Sequence, residues 1–246
     1  MLKDKKIVAL IPARSGSKRF KNKNIYPYKG HPLIAYTIVS AIKSKIFSKI
    51  IVSTDSKYYK RIAEHYGATV PFLRPKKISG SKSSDYDWVD FTLNKLDEKF
   101  DIFTILRPTN PFRNHLSIKR SFKKFFLYNM NYSLRGVSVT KNHPGKMWKK
   151  KGSFIYPILK GNYKNQPYYN SQFAVLPKIY QQNASIEISK TYVIKKFKTI
   201  TSNKIIPYFS KDYEAFDLNY QDDLSLIKEN FNKNLVSVQK KSFFRK

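Results

Sequence analysis

Short apolar runs alternate with amphipathic stretches along the first part of this chain, and turn residues separate them. The runs have the length of buried strands, whereas the amphipathic stretches repeat their apolar residues at nearly helical spacing. Strands that alternate with helices are joined by crossovers and therefore lie largely parallel in one sheet. The alternation predicts an α/β fold of three layers, Rossmann-like, with a mostly parallel sheet in the middle.

The predicted elements can be placed along the sequence from these patterns. Strands are predicted over Ile7–Ile11, Lys49–Ser53, Thr69–Leu73, Asp101–Leu106, Ser185–Ile188 and Ile205–Phe209. Helices are predicted over Pro32–Lys45, Lys57–Tyr66, Asp85–Glu98, Asn114–Leu127 and about Gln221 to Asn230. No repeat or linker interrupts this order, so we predict one domain.

A stretch of about residues 141–177 breaks the alternation. It shows no helical pattern but is rich in aromatic residues, namely Trp148, Phe154, Tyr156, Tyr163, Tyr168, Tyr169 and Phe173. Such a loop-rich insertion can cover a site or pack against another subunit. We therefore predict a domain over residues 1–232 with this insertion, followed by a basic tail at 233–246. The end of that tail, Gln239–Lys246, is expected to be frayed rather than to bind nucleic acid.

Composition excludes several classes of protein. The chain has no Cys, which excludes a disulfide scaffold, a thiolate zinc site and a cysteine nucleophile. The four His show no metal-ligand spacing. No apolar segment reaches the roughly 20 residues of a membrane span, and the N-terminus lacks a signal-peptide pattern. These features predict a soluble, cytoplasmic protein that does not bind a membrane.

The formal net charge is +32, which by itself favours nucleic acid or another polyanion as a partner. The 48 Lys and Arg residues, however, are scattered over almost every segment instead of forming one stripe. We interpret most of them as solvated surface, with a minority that attracts anionic substrates. A basic nucleic-acid-binding protein stays as the alternative from a different class.

The loop after the first predicted strand contains the densest group of candidate ligand-binding residues. Ile7–Ile11 ends at Pro12, and small residues (Ser15, Gly16, Ser17) are then mixed with Arg14, Lys18, Arg19, Lys21 and Lys23. A small-residue, cationic loop at the carboxyl end of a parallel strand is typical of a polyphosphate site. The alternative is a solvated lysine-rich loop. Neither a Walker A sequence nor G-x-G-x-x-G is present.

Several short motifs occur in a fixed order along the chain: I-P-A-R-S-G-S-K with K-N-K-N at 11–24, V-S-T-D at 52–55, L-R-P at 73–75, P-T-N-P-F-R at 108–113, H-P at 143–144, L-P-x-x-Y-x-x-N at 176–183 and E-A-F-D-L-N at 214–219. In this set the chain resembles the acylneuraminate (CMP-sialic acid) cytidylyltransferases, as a divergent member. The resemblance implies a nucleotidyltransferase that transfers CMP from CTP to the anomeric hydroxyl of a nonulosonic, sialic-acid-like sugar acid and releases pyrophosphate. It also implies a homodimer in which one subunit reaches towards its partner's site.

The resemblance assigns roles to particular residues. Positioned cations are needed because charge develops on the leaving phosphates. The catalytic candidates that meet the triphosphate are Arg14, Lys18 and Lys23, and the nucleotide-binding candidates are Arg14, Asn24, Arg74 and Ser84. From the sequence alone, Ser83 and Ser84 equally fit the N-cap of the following helix.

The resemblance also implies Mg²⁺ as cofactor. Asp217 matches the first carboxylate of the family's D-x-D element, and Asn219 stands where the second is expected. An amide oxygen can coordinate the ion but brings no charge, so we expect weaker Mg²⁺ binding unless Asp223 or Asp55 contributes. The non-functional alternative is that Asp217 caps a turn.

Departures from the family pattern concentrate where the sugar is expected to bind. Arg107 replaces a Gln before P-T-x-P, and Glu187 ends a changed N-A-S-I-E stretch, so both need partners if they are buried. Lys146 and Gln172 are the further substrate-binding candidates. These changes leave the acceptor open, with 3-deoxy-octulosonate (Kdo) or a sugar 1-phosphate as alternatives. A non-catalytic relative, suggested by Asn219, is also open.

Overall fold

A six-stranded sheet forms the centre of the protein in a computed structural model that describes residues 5–128, 132–227 and 229–244, with only the backbone described at Ala184 and Asn230. Its strands are β1 (Ile7–Pro12), β2 (Lys49–Ser53), β3 (Ile102–Ile105), β4 (Ser133–Val139), β5 (Tyr180–Lys190) and β6 (Ile205–Phe209). Their order across the sheet is β6-β4-β5-β3-β1-β2. Of these six, β5 alone runs antiparallel to its neighbours, which confirms the predicted mostly parallel sheet.

Five helices cover the two faces of the sheet: α1 (Leu33–Ser44), α2 (Lys57–His65), α3 (Asp85–Lys95), α4 (His115–Leu127) and α5 (Tyr192–Phe197). Successive residues of a strand point to opposite faces. Ile7, Ala9 and Ile11 of β1 therefore pack in the core formed with α1, α2 and α4. Val8 and Leu10 pack on the other face with α3 and α5. This arrangement is the predicted three-layer α/β fold.

Helix starts follow from capping residues. The Asn114 side chain accepts hydrogen bonds from the backbone N–H groups of Leu116 and Ser117 at the start of α4. The Ser84 hydroxyl accepts from the N–H of Asp87, whose carboxylate in turn accepts from the Ser84 N–H. This reciprocal capping box fixes the start of α3.

Two predicted elements are wrong. Thr69–Leu73 is not a strand, because only Thr69 pairs with β2, through Ile51, and Pro71 lacks the N–H that would continue the ladder. The predicted last helix is replaced by two 3₁₀ segments, Gln221–Leu226 and Glu229–Asn234, with residue 228 outside the described residues. The Asn and Asp side chains of this region compete for backbone groups and disfavour a regular helix.

The basic tail is docked rather than frayed as far as residue 244, so that expectation is also wrong. The Phe243 ring contacts the His65 ring, with centroids 5.5 Å apart, and its N–H donates to the Tyr66 hydroxyl at 3.1 Å. Lys240 Nζ donates to the His65 carbonyl at 2.7 Å. An aromatic anchor at the end of α2 therefore holds the tail. Residues 245–246 lie outside the described residues.

The insertion consists of short elements. Two hairpins, Trp148–Lys151 with Phe154–Pro157 and Asn162–Tyr163 with Gln166–Pro167, are preceded by one 3₁₀ turn and followed by two more, and no described residue of the insertion is in an α-helix. A further small hairpin, Pro27–Tyr28 with His31–Pro32, precedes α1. In the described part of the chain, no helix has the length and apolar character to cross a membrane.

Candidate active site

A cleft of about 1010 Å³ opens along one edge of the sheet. This edge holds the carboxyl ends of β1, β2 and β3, and the antiparallel direction of β5 brings its first residues there as well. Six cationic side chains line the cleft, namely Arg14, Lys18, Arg19, Lys23, Arg74 and Arg107. Among the described residues two carboxylates, Asp85 and Asp217, also line it. The cleft is therefore a strongly cationic ligand site.

The loop after β1 is held in shape by Asp55. The Asp55 carboxylate accepts hydrogen bonds from the N–H of Ser15 at 2.8 Å and from its hydroxyl at 3.0 Å. Asn24 Nδ2 donates to the Arg14 carbonyl at 3.1 Å and ties the far end of the loop to its start. These contacts make Asp55 a residue that positions the cationic loop, and both of its oxygens are used for that purpose.

Four cations of this loop, Arg14, Lys18, Arg19 and Lys23, face the cleft together. Lys23 is half-buried, and its Nζ donates to the Leu218 carbonyl at 3.1 Å. Burial is the main reason that the pKa of Lys23 lies below its ordinary value; Asp217 opposes the shift and Arg19 adds to it. A polyanionic ligand would relieve the mutual repulsion of these cations.

Arg74 lies on the β2 side of the cleft. Its Nε and Nη2 donate to the hydroxyl and carbonyl of Ser53, and its guanidinium carbon is 5.0 Å from the centroid of the Trp88 ring. Burial lowers the pKa of Arg74 to about 10. Within the described ranges no partner is recorded for Nη1, which leaves donors of a rigid, stacked guanidinium for a ligand.

Asp217 and Asn219 lie in the segment after β6, which contacts the cationic loop after β1 through Arg19 and Lys23. Asp217 Oδ2 accepts from Asn219 Nδ2 at 2.7 Å, whereas Asp217 Oδ1 is buried without a hydrogen-bond partner in the described part of the chain. A buried carboxylate oxygen without a partner is costly unless a ligand satisfies it. Its chemistry fits Mg²⁺, which accepts one or two carboxylates together with phosphate oxygens and water.

Asn219 and Asp223, the other predicted ligands near Asp217, accept hydrogen bonds from protein groups through their side-chain oxygens. The Asn219 amide oxygen accepts from Arg19 Nη2 at 3.2 Å and from Lys23 Nζ at 3.4 Å. Asp223 Oδ2 accepts from the N–H groups of Asn219 and Tyr220 at 2.6 and 2.8 Å. Among the described residues no group of three or more His, Cys, Asp or Glu side chains is arranged to hold a metal. Asp217 therefore keeps one carboxylate oxygen without a hydrogen-bond partner among the described residues. The geometry does not favour the predicted ligand role of Asn219.

A buried glutamate positions the segment that carries Asp217. Glu214 is fully buried, and its carboxylate accepts from Ser117 Oγ at 2.5 Å, from the Tyr208 hydroxyl at 3.1 Å, and from Arg120. Asn110 Nδ2 donates to the Glu214 carbonyl. The segment is thereby fixed to α4, β6 and the loop after β3.

Replacing this carboxylate by an amide tests that role. We expect Glu214→Gln to lower the free energy of unfolding by about 1.5–3 kcal/mol, because hydrogen bonds to a buried charge are lost. Denaturant unfolding measures the change, with Glu64→Gln as the control, since Glu64 forms only an exposed pair with Lys60. Equal stabilities of the two variants would contradict the positioning role.

Arg107 and Glu187 prove to be partners. Arg107 Nη2 donates to Glu187 Oε1 at 2.7 Å and to Asp85 Oδ2 at 2.6 Å, and Arg135 Nη1 lies 2.9 Å from Glu187 Oε2. Burial opposes ionisation of Asp85, yet the neighbouring charge of Arg107 holds the pKa of that carboxyl below its usual range. The four side chains form a row of alternating charges, in which Arg107 and Asp85 line the cleft.

Arg113, the last residue of P-T-N-P-F-R, fixes the turn that presents Arg107. It is fully buried and donates to the Ser185 carbonyl at 2.8 Å, to Thr37 Oγ1 at 3.0 Å and to the Arg107 carbonyl at 3.3 Å. The loop after β3 is therefore tied to both α1 and β5. This role was not anticipated from the sequence, although a charged residue at the end of a Pro-rich turn was a visible signal.

The predicted site residues divide into two groups. The structure brings Arg14, Lys18, Lys23, Asn24, Arg74, Arg107, Asp217 and Asn219 together around the cleft. Ser84 is the N-cap of α3, and the neighbouring Ser83 lines the cleft instead. Lys146 and Gln172 lie in the insertion, and none of its described residues lines the cleft. Sequence reasoning missed Trp88 and Asp85, whose only signal was their position just after Ser84.

Fold and cleft together define an α/β protein with a strongly cationic cleft at the carboxyl ends of its parallel strands. The chain belongs to the cytidylyltransferase family, whose model matches residues 8–242. It is 32% identical over 190 residues to a pseudaminic acid cytidylyltransferase of Campylobacter jejuni, covering 76% of this chain and 74% of that protein.

Other relatives match shorter regions. An N-acylneuraminate cytidylyltransferase of Escherichia coli is 42% identical over 120 residues, which are 49% of this chain and 28% of that protein. A CMP-N,N'-diacetyllegionaminic acid synthase of Legionella pneumophila is 42% identical over 119 residues, or 47% of this chain and 51% of that protein. The chain thus matches less than a third of the length of the first of these relatives and about half of the length of the second.

Solved structures support the fold. A CMP:2-keto-3-deoxy-manno-octonic acid synthetase complexed with CTP superposes with a TM-score of 0.66 at 13% sequence identity, over 94% of this chain and all of that chain. A 4-diphosphocytidyl-2C-methyl-D-erythritol synthase of Anaerococcus prevotii gives a TM-score of 0.61 at 13% identity, over 90% of this chain and 96% of that chain. At this identity the likeness concerns the architecture.

Proposed function

We propose that this protein transfers CMP from CTP to the anomeric hydroxyl of a sialic-acid-like sugar acid and releases pyrophosphate. One observation carries the proposal: the four cations of the loop after β1 line one cleft together with Asp217, whose Oδ1 has no hydrogen-bond partner in the described part of the chain. Cations and a carboxylate that can hold a metal are the groups needed around a reacting triphosphate. Family membership adds cytidine as the nucleoside.

In the proposed reaction, the acceptor oxygen attacks the α-phosphorus of CTP. The new bond joins that oxygen to phosphorus, the bond from phosphorus to the α,β-bridging oxygen breaks, and the hydroxyl proton is released to solvent. Arg14, Lys18 and Lys23 stabilise the charge that collects on the departing pyrophosphate. When bound, Mg²⁺ neutralises phosphate charge, and Asp217 Oδ1 with phosphate oxygens and water would hold it.

The order of strands suggests which end of the cleft takes each substrate. Arg74 is bonded to the end of β2, and the cationic loop follows β1, so the nucleotide occupies these two neighbouring positions. The β3–β5 side remains for the acceptor, and there Arg107 and the amides of Gln181, Gln182 and Asn183 line the cleft. A cation with several amide groups suits an acidic sugar that bears N-acyl groups and hydroxyls.

The acceptor can be identified by measuring pyrophosphate release from CTP with Mg²⁺ across a panel. The panel contains N-acetylneuraminate, pseudaminic acid, N,N'-diacetyllegionaminic acid, Kdo and a sugar 1-phosphate. We expect turnover with a nonulosonic acid; preference for Kdo or for the sugar 1-phosphate would correct the acceptor but retain the reaction class. Thermal stabilisation by CTP without any turnover would indicate a non-catalytic relative.

The same preparation separates the enzyme from a nucleic-acid-binding protein. We expect CTP with Mg²⁺ to raise the melting temperature, whereas an arbitrary DNA duplex at physiological salt should not be retarded in a gel. Strong, salt-sensitive retardation without an effect of CTP would overturn the proposal. Because the reaction consumes CTP, we propose that it takes place in the cytoplasm.

We further propose that the insertion forms a homodimer interface. Phe154, Ile155, Tyr156 and Ile158 have exposed fractions of 69%, 57%, 50% and 55% in the isolated chain. Apolar surface of this extent on a monomer favours aggregation, so a partner surface is expected to cover it. Lys146 and Gln172, which do not line the cleft of their own chain, would then be available to the partner's acceptor.

Sedimentation tests the interface. We expect a dimer at micromolar concentration, and we expect Phe154→Glu to shift it towards monomer, because a charge would be buried without a partner. Leu127→Glu is the matched control, since Leu127 is 73% exposed at the end of α4. A monomeric wild type, or equal effects of the two substitutions, would contradict the interface.

A further inference from the structure

The Asn219 side chain lies between the cationic loop after β1 and Asp217. We infer that Asn219 is a positioning residue that holds Arg19 and Lys23 ready for the triphosphate, and that it is not a ligand of the metal. The inference rests on the proposed function and specifies how its phosphate site is prepared. It reverses the role that the sequence alone predicts for Asn219.

Both polar atoms of the Asn219 side-chain amide already form hydrogen bonds. The oxygen accepts from Arg19 at 3.2 Å and from Lys23 at 3.4 Å, and the nitrogen donates to Asp217 Oδ2 at 2.7 Å. The opposite orientation would place the amide NH₂ against two cations and the oxygen against a carboxylate, so the network itself fixes the assignment. A divalent cation at this oxygen would sit beside two positive charges.

The backbone around Asn219 is also fixed. The Asp223 carboxylate holds the N–H groups of Asn219 and Tyr220, and the Tyr220 ring lies 5.1 Å from the guanidinium carbon of Arg19. Within the described residues, Arg19 forms no ion pair with a carboxylate. Among the described residues Arg19 is therefore oriented by neutral groups, the Asn219 amide and Tyr220, whose hydroxyl accepts a long hydrogen bond of 3.5 Å from Arg19 Nη1.

A neutral acceptor has a specific advantage at this position. It orients the two cations through ordinary hydrogen bonds, which a triphosphate can replace with stronger, charge-assisted ones. A carboxylate at the same position would make charge-assisted bonds of its own and compete with the phosphates. The single negative charge of Asp217 is then left for the metal.

The test measures binding of CTP without metal separately from binding of Mn²⁺. Calorimetry gives the CTP affinity in the presence of EDTA, and electron paramagnetic resonance gives the Mn²⁺ affinity of the complex with CTP. We expect Asn219→Asp to weaken metal-free CTP binding by about three- to tenfold, the range for one or two surface ion pairs, without tightening Mn²⁺. Asn219→Ala should also weaken CTP binding and leave Mn²⁺ affinity unchanged.

Two controls separate this effect from others. Asn203→Asp adds the same charge at an exposed bend before β6 and should change neither affinity. Asp217→Asn should weaken Mn²⁺ but not metal-free CTP. Tighter Mn²⁺ binding by Asn219→Asp, or weaker Mn²⁺ binding by Asn219→Ala, would identify a metal ligand and overturn the inference. A wild type that binds no CTP under either condition would instead overturn the proposed function, and the inference with it.

Discussion

Replacement of Arg14 by alanine is expected to lower the rate of pyrophosphate release by about 10²–10³, the usual effect of removing a donor that stabilises a transition state. Arg14 is the second residue after β1, and among the described residues its guanidinium forms only long hydrogen bonds, 3.3 Å to the Gly16 carbonyl and 3.5 Å to the Ser79 carbonyl. Two phosphate oxygens can replace these carbonyls with shorter, charge-assisted bonds. The Arg14 side chain is therefore available for the reacting phosphates.

The loop itself should survive this substitution. Asn24 is bonded to the Arg14 carbonyl rather than to its side chain, and Asp55 holds the following residue. Turnover at saturating CTP is the measurement, and Lys21→Ala is the control, since Lys21 is an exposed cation of the same loop outside the cleft. A folded Arg14→Ala variant with turnover within a few-fold of wild type would remove Arg14 from the mechanism.

Asp217→Asn is expected to abolish nearly all activity at any Mg²⁺ concentration that the assay allows. The substitution keeps the size of the side chain but removes the charge of the buried Oδ1, which has no hydrogen-bond partner among the described residues. Hard cations bind through ligand charge as well as ligand number. With a single carboxylate, the wild type is itself expected to need about millimolar Mg²⁺ for half-maximal rate.

A Mg²⁺ titration of pyrophosphate release tests both statements. The matched control is Asp222→Asn, which neutralises an exposed carboxylate in the neighbouring 3₁₀ segment. The control should keep the Mg²⁺ dependence of the wild type. Full activity of Asp217→Asn at low Mg²⁺ would show that the metal binds elsewhere.

The sequence predicts those features that depend on local patterns. Alternating runs identify β1, β2 and the main helices to within a few residues, because burial of one helix face or of a whole strand leaves a periodic signal. The cationic loop was recognisable because its residues are neighbours in the chain. Its position at a sheet edge then follows from the parallel topology.

The contacts that the sequence could not predict join distant segments. Arg107 meets Glu187 across 80 positions, and Arg19 meets Asn219 across 200. Such pairs depend on the order of strands and on side-chain directions, which no local period encodes. Arg107 and Glu187 were recognisable in the sequence as departures from the family pattern, but only the pairing of β3 with β5 brings them together.

The antiparallel direction of β5 has a consequence for how this protein can diversify. The insertion leaves the sheet at Val139 and returns at Tyr180, two residues that pair with each other. The 40 residues between them, 140–179, are thus an excursion between adjacent strands, and lengthening it would cost little, roughly 0.6 kcal/mol for each doubling. The returning strand leads directly into Gln181 and Gln182, which line the cleft. New sequence inserted before it would therefore lie beside the cleft, or against a neighbouring subunit, without disturbing the packing between the sheet and its helices.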